Sequence, residues 1–258
     1  MRDRFRVPVE PGRPDSERRV WWGNHLGEVR WQLQLARLLR DPLWRGEGVP
    51  RGDGRQVVLI PGFLVGDYTL GVLGAWLSRI GYEPHGSGMR FNIDCMDLAL
   101  DRVEERMERL HDASGRRVAI VGHSRGGHFA KALASRRPDL VSHAISMGAA
   151  LAEPLAVSAP ILAVAMGVGA MHERRRPAGC MTEACTCRAF NDFRAPAPDD
   201  VGMTSIYSRG DGCLRWRCCI VDYADNVEVT GSHTGLAFER TSYRAIAEAL
   251  AVPERAFG

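Results

Sequence analysis

Between residues 56 and 250 short apolar runs alternate with longer amphipathic stretches. Gln56–Ile60 is rich in β-branched residues and closes on Pro61-Gly62, which predicts a buried strand. Residues 68–80 carry helical spacing and stop at Gly81, and residues 97–111 form a long, charged amphipathic pattern. A strand at 117–121, a helix at 126–137 stopped by Pro138 and a strand at Val141–Met147 continue the rhythm. It resumes with strands at 203–207 and near 227–230, then a C-terminal helix at 236–251. Strands alternating with helices predict an α/β fold, a mostly parallel central sheet flanked by helices on both faces.

Two regions fall outside this rhythm. Residues 1–20 are rich in Arg, Pro and Glu without periodicity, and read as an arm. Residues 24–40 then place Leu26, Val29, Leu33, Ala36 and Leu39 at helical spacing, with Asn24 as a cap and Pro42 as the stop. Such a basic amphipathic helix packs on its own domain more often than on a membrane surface. Residues 149–200 contain an uncharged run at 155–171, followed by a Cys- and Pro-rich loop. The expected organisation is a segment 1–50, with arm and helix, and an α/β domain 51–258 that carries an insertion at 149–200. The uncharged run has 17 residues, broken by Pro160, Gly167 and Gly169, at the lower edge of what spans a bilayer. A lid over a pocket and a helix buried for stability are its two main readings.

Composition narrows the function classes. The chain has 258 residues, 45% hydrophobic and 25% charged, which excludes a disordered or collagen-like protein. A net charge of +3 offers no electrostatic case for nucleic acid. All 34 basic residues except Lys131 are arginine, spread along the chain in the manner of a GC-rich codon bias. The seven cysteines (Cys95, Cys180, Cys185, Cys187, Cys213, Cys218 and Cys219) lack paired C-x-x-C spacing, so no metal site is expected. No cofactor motif stands out. A disulfide within the insertion, or from it to the 213–219 segment, requires an oxidising compartment. The first residues carry no apolar signal core, which makes the cytoplasm the default expectation.

One constellation carries chemistry. Residues 118–127 read V-A-I-V-G-H-S-R-G-G, an apolar strand running into Gly122-His123-Ser124-Arg125-Gly126 and then a helix. A nucleophile elbow requires that strand, that helix and small residues beside the serine. Serine needs a base to take its proton, and in this arrangement an acid and then a histidine follow it in the chain. Beyond the elbow helix only His143, His172 and His233 remain, and His233 lies in the loop Gly231-Ser232-His233-Thr234-Gly235 between the last strand and the last helix. Among Asp192, Asp199, Asp200, Asp211, Asp222 and Asp225, only Asp211 stands just past the C-terminal end of an apolar strand, where catalytic groups of open α/β sheets gather. Asp225 is the alternative.

Three strings together resemble the α/β-hydrolase superfamily, in particular bacterial serine esterases and lipases: residues 58–63, the elbow 122–127, and 205–212 with 231–233. The resemblance covers about residues 56–250 and leaves the first helix outside. It implies Ser124 as nucleophile, His233 as general base, Asp211 as the residue that orients it, and the backbone N–H groups of Phe63 and Arg125 as an oxyanion hole. Pro61-Gly62 replaces the His-Gly common in that family, at little cost because the hole uses main-chain donors. The implied activity is hydrolysis of small, lipophilic carboxylic esters through an acyl-enzyme. Acyl transfer by the same triad and a non-catalytic binding protein are the alternatives. The implied lid and the first helix offer peripheral membrane contact. Oligomeric state is not readable.

Overall fold

The computed structural model describes residues 25–173 and 186–254. A short 3-10 turn, His25–Arg30, leads into α1 (Trp31–Arg40). Then come β1 (Gln56–Ile60), α2 (Gly71–Arg79), β2 (Glu83–Gly86), α3 (Met96–Ser114), β3 (Val118–His123), α4 (Arg125–Arg136) and β4 (Val141–Met147). α5 (Ala159–Glu173), α6 (Arg188–Arg194), β5 (Gly202–Ser208), β6 (Asp225–Val229) and α7 (Arg240–Leu250) complete the order. The six strands form one sheet in the order β2-β1-β3-β4-β5-β6, and every pair is parallel.

β1, β3, β4 and β5 are buried along almost their whole length because both faces of the sheet are covered there. Side chains alternate across a strand, so Val57 and Leu59 of β1, with Ala119 and Val121 of β3, join one core. That core also holds Leu38 of α1, Leu73 and Trp76 of α2, and Tyr243 and Ile246 of α7. Val58, Ile60, Val118 and Ile120 enter the other core, against Leu100 and Val103 of α3, Phe129 and Leu133 of α4, and Ala189 and Phe193 of α6. α6 therefore packs into the body of the domain. Lys131 of α4, the only lysine, is buried there, with Nζ donating to Ser135 Oγ (2.7 Å) and Ala195 O (2.8 Å).

Two elements depart from the sequence reading. β2 (EPHG) has no apolar run to announce it, being an edge strand paired only to β1. In the first helix the buried face is set differently from the expected stripe. Gln34 and Leu38 are buried, while Leu26 is 87% exposed, Val29 67% and Leu33 60%. The cause is local: residues 25–30 wind as a 3-10 turn, which breaks the 100° spacing, and Gln34 is drawn inward to hydrogen-bond Ser232 and Glu239. The segment does pack on its own domain, with the Trp31 ring 5.3 Å from that of Phe238. Asn24 lies outside the described residues.

Candidate active site

β3 runs into Ser124, whose φ of 53° and ψ of −122° lie outside the regions open to most residues, and α4 begins at once with Arg125. Such backbone costs on the order of 1–3 kcal/mol and persists only where its surroundings hold it. Here Ser124 N donates to Met147 O (2.8 Å), and Gly127 N donates to Ser124 O (2.8 Å). The glycines follow from crowding. A Cβ on Gly122 would stand 2.1 Å from Gly126 O, and one on Gly126 would stand 2.2 Å from Ile60 O.

Asp211 sits in the turn after β5. Its Oδ1 accepts from Cys213 N (2.8 Å) and Leu214 N (2.9 Å), and its Oδ2 accepts from His233 Nδ1 (2.6 Å). The bond to a carboxylate places the imidazole proton on Nδ1 and leaves Nε2 able to receive one. Burial opposes a charge on His233, but the Asp211 carboxylate, its hydrogen bond and nearby Glu28 outweigh that and hold the pKa above 6.5. Gly148, after β4, lies between these groups: a Cβ there would stand 3.2 Å from His233 Nδ1 and 3.3 Å from Asp211 Oδ2. Asp225, the alternative acid, opens β6 exposed, and Asp192 pairs with Arg136. His143 is buried in the sheet, bonded to Thr204 Oγ1 (2.9 Å).

The loop carrying Phe63 lies directly on the elbow, since a Cβ on Gly62 would stand 3.2 Å from Ser124 Cβ. Asn92 fixes that loop: its Nδ2 donates to Pro61 O (2.8 Å), its N to Val65 O (2.8 Å), and its O accepts from Leu64 N (3.2 Å). The Arg125 guanidinium donates to Asn92 O and Oδ1 (3.0 and 2.7 Å) and to Asp94 O (2.7 Å). Arg125 thus ties the start of α4 to the Phe63 loop, and both residues line the same cavity as Ser124.

That cavity, about 130 Å³, is walled by Met96, Leu155, Ile161, Ala165, Phe190 and Phe193 among others. α5 turns Ile161 and Ala165 inward, while Val164, Met166 and Met171 are exposed on its outer side. Among the described residues no helix is long and apolar enough to cross a membrane. His128, one turn into α4, also lines the cavity and is uncharged, because burial and the nearby Arg125 bring its pKa to about 4. Asp211, Cys213 and His233 cluster closely enough to suggest a metal, but burial pushes the Cys213 thiol far up and the Asp211–His233 bond occupies the other two groups. Cys180 and Cys185 lie outside the described residues. Cys213, Cys218 and Cys219 are thiols with no disulfide among the described residues.

Sequence reasoning missed three groups that act on this site through backbone. Asn92 is one. His123, the residue before Ser124, donates from Nε2 to His233 O (2.9 Å), and burial and the neighbouring His233 hold its pKa near 4. Glu28 accepts from Gly212 N (3.0 Å), His233 N (2.9 Å) and Thr234 N (2.8 Å). His123 could have been suspected from its place in the elbow; Glu28, from a segment set apart from the core, gave no signal.

The comparisons with known proteins bear on the fold. The Esterase family model matches residues 100–175, which include the elbow. No curated protein matches. Among solved structures, a lipase of Bacillus licheniformis is similar with a TM-score of 0.59 at 13% identity, over 80% of this chain and 95% of that one. A soluble variant of the monoglyceride lipase of Saccharomyces cerevisiae, solved with a substrate analogue, has a TM-score of 0.55 at 14% identity, over 81% and 91%. The monoacylglycerol lipase of Paleococcus ferrophilus has 0.53 at 16%, over 78% and 96%. A parallel sheet in this order, an elbow at the end of β3 and these likenesses lead to one conclusion: the chain has the α/β-hydrolase fold.

Proposed function

We propose that this protein hydrolyses carboxylic esters through an acyl-enzyme on Ser124, with His233 as base, Asp211 orienting it, and the N–H groups of Phe63 and Arg125 as the oxyanion hole. The observation that carries the proposal is the 2.6 Å bond from His233 Nδ1 to a fully buried Asp211 side chain, with the His233 ring 5.0 Å from that of His123, the residue before the strained Ser124. His233 Nε2 takes the Ser124 hydroxyl proton as Oγ bonds to the ester carbonyl carbon. The oxyanion then forms against the two main-chain donors, each worth about 3–4 kcal/mol of barrier. As the C–O bond to the alcohol breaks, His233 returns the proton to the leaving oxygen. Water attacks the acyl-enzyme with its proton passing to Nε2, and the acid leaves as Ser124 recovers its hydrogen.

The apolar cavity beside Ser124 favours a lipophilic acyl group. α5 acts as its lid. The exposed Val164, Met166 and Met171 are the part of α5 that touches a lipid–water interface. Fluorophosphonate labelling is the direct test: the wild type takes the label and Ser124→Ala does not. A folded wild type that stays unlabelled refutes the proposal. Product analysis with added alcohol separates hydrolysis from acyl transfer.

A further inference from the structure

The first described turn belongs to a segment that precedes the sheet, yet its polar atoms converge on the two loops that carry Asp211 and His233. Glu28 Oε1 accepts from Gly212 N, the residue after Asp211, and from the N–H of His233 itself. Its Oε2 accepts from Thr234 N. One carboxylate, which offers about four acceptor sites, thereby bonds both loops at once. His25 in the same turn meets Ser158 Oγ (3.1 Å) at the foot of α5, and Ser158 N donates to Cys213 O (2.8 Å), back on the acid loop. One helical turn further on, Gln34 Oε1 accepts from Ser232 Oγ (3.4 Å), and its Nε2 donates to Glu239 Oε2 (3.3 Å). Gly231 and Gly235 are shaped around it, since a Cβ at either would strike the Gln34 amide, at 2.5 and 1.7 Å.

We propose that residues 25–34 are a clasp on the catalytic loops and that Glu28 is a positioning residue, holding the base-bearing loop in register with the acid-bearing loop. The consequence for catalysis rests on the hydrolase reading above; the clasp itself does not. Loops at strand ends are the mobile part of an α/β site, and an error of about 1 Å in a reacting group costs on the order of a hundredfold in rate. Glu28 also has an electrostatic effect. The groups facing His233 are Asp211 and the Cys213 thiol from the acid loop, His123 from the end of β3, and Glu28 from the clasp. Two of them are carboxylates, both favouring the imidazolium.

Two variants of the full chain test this: Glu28→Ala and Glu28→Gln. Hydrogen exchange read at the amides of Gly212, His233 and Thr234 needs no catalysis. Glu28→Ala should lose protection at these amides while β3 and α4 keep theirs. Unchanged protection there overturns the clasp whether or not the protein cleaves esters. In the ester assay, Glu28→Ala should lower kcat by about tenfold or more with little change in KM, as expected when positioning rather than binding is lost. Loss of protection with kcat intact overturns the positioning role. Glu28→Gln keeps one acceptor oxygen but not the charge, so it should recover much of the kcat while the acid limb of kcat/KM moves to lower pH. A limb that stays in place overturns the electrostatic part. A wild type inactive on every ester, with the exchange pattern as expected, sinks the hydrolase reading and leaves the clasp standing.

Discussion

Replacing Gly126 by alanine tests how tightly the elbow is gripped. The new Cβ would lie 2.2 Å from Ile60 O, 2.8 Å from Ile60 C and 2.9 Å from Pro61 O, all of them backbone atoms. Ordinary contact begins at 3.4 Å, so the start of α4 and the end of β1 must part by about 1.2 Å. Neither side yields easily. β1 is held between β2 and β3, and α4 is fastened to the Phe63 loop through Arg125 and Asn92. Overpacking of this kind costs about 1–3 kcal/mol, which for a protein of this size lowers Tm by roughly 2–12 °C. The same displacement pulls the Arg125 N–H away from that of Phe63. On the proposed function these are the two oxyanion donors, and loss of one should lower kcat by about 10²–10³ with KM nearly unchanged. Thermal unfolding by circular dichroism and steady-state hydrolysis of a nitrophenyl ester read the two effects separately. A variant with wild-type Tm and wild-type kcat refutes the reasoning, because it shows that the two backbones can separate without cost.

His233 must be neutral to act as base. Burial works against its charge, but Asp211 and Glu28 hold its pKa above 6.5, so kcat/KM should rise with pH through a limb above 6.5; a profile flat from pH 5 to 9 rejects the base. Asp211→Asn should lower kcat by about 10⁴ by removing the acceptor that sets the imidazole tautomer, and a loss under about tenfold would reject that role. Ala165→Trp fills the cavity from α5, so the preferred acyl chain on a series of nitrophenyl esters should shorten; an unmoved optimum would place the acyl group elsewhere. For Lys131, burial lowers the folded pKa to about 8 from 10.5. The unfolded chain then binds the extra proton between these values, so this residue makes stability rise from pH 8 to 10.5, a slope that Lys131→Met should remove in denaturant titrations.

Legibility in the sequence followed burial. β1, β3, β4 and β5 are covered on both faces and so read as apolar runs, and each was placed within a few residues. β2, at the sheet edge, contains Pro84 and no run. α6 is a seven-residue helix, too short to establish a period. The elbow was legible because crowding demands glycines at fixed offsets from Ser124, and chain order then selected His233 and Asp211, which the fold brings within 2.6 Å. Asn92 and Glu28 were not legible, because they act by hydrogen bonds to main-chain atoms of distant loops, for which no residue pattern exists. Gln34 shows the converse case. A polar residue outside the expected apolar stripe faces in, and the buried side of α1 follows Gln34 and Leu38 instead of Leu33 and Leu39.

Lys131 also bears on how this molecule can be handled. Its ammonium is the only ε-amino group in the chain, and it is enclosed between α4 and the residues after α6, with Ser135 and Ala195 as partners. Amine-directed chemistry therefore finds no lysine side chain on the folded surface. Succinimidyl dyes, lysine cross-linkers and enzymatic acetylation all need that nitrogen free. Reaction at Lys131 would report that α4 and α6 had come apart, which makes the residue an internal gauge of the integrity of the fold.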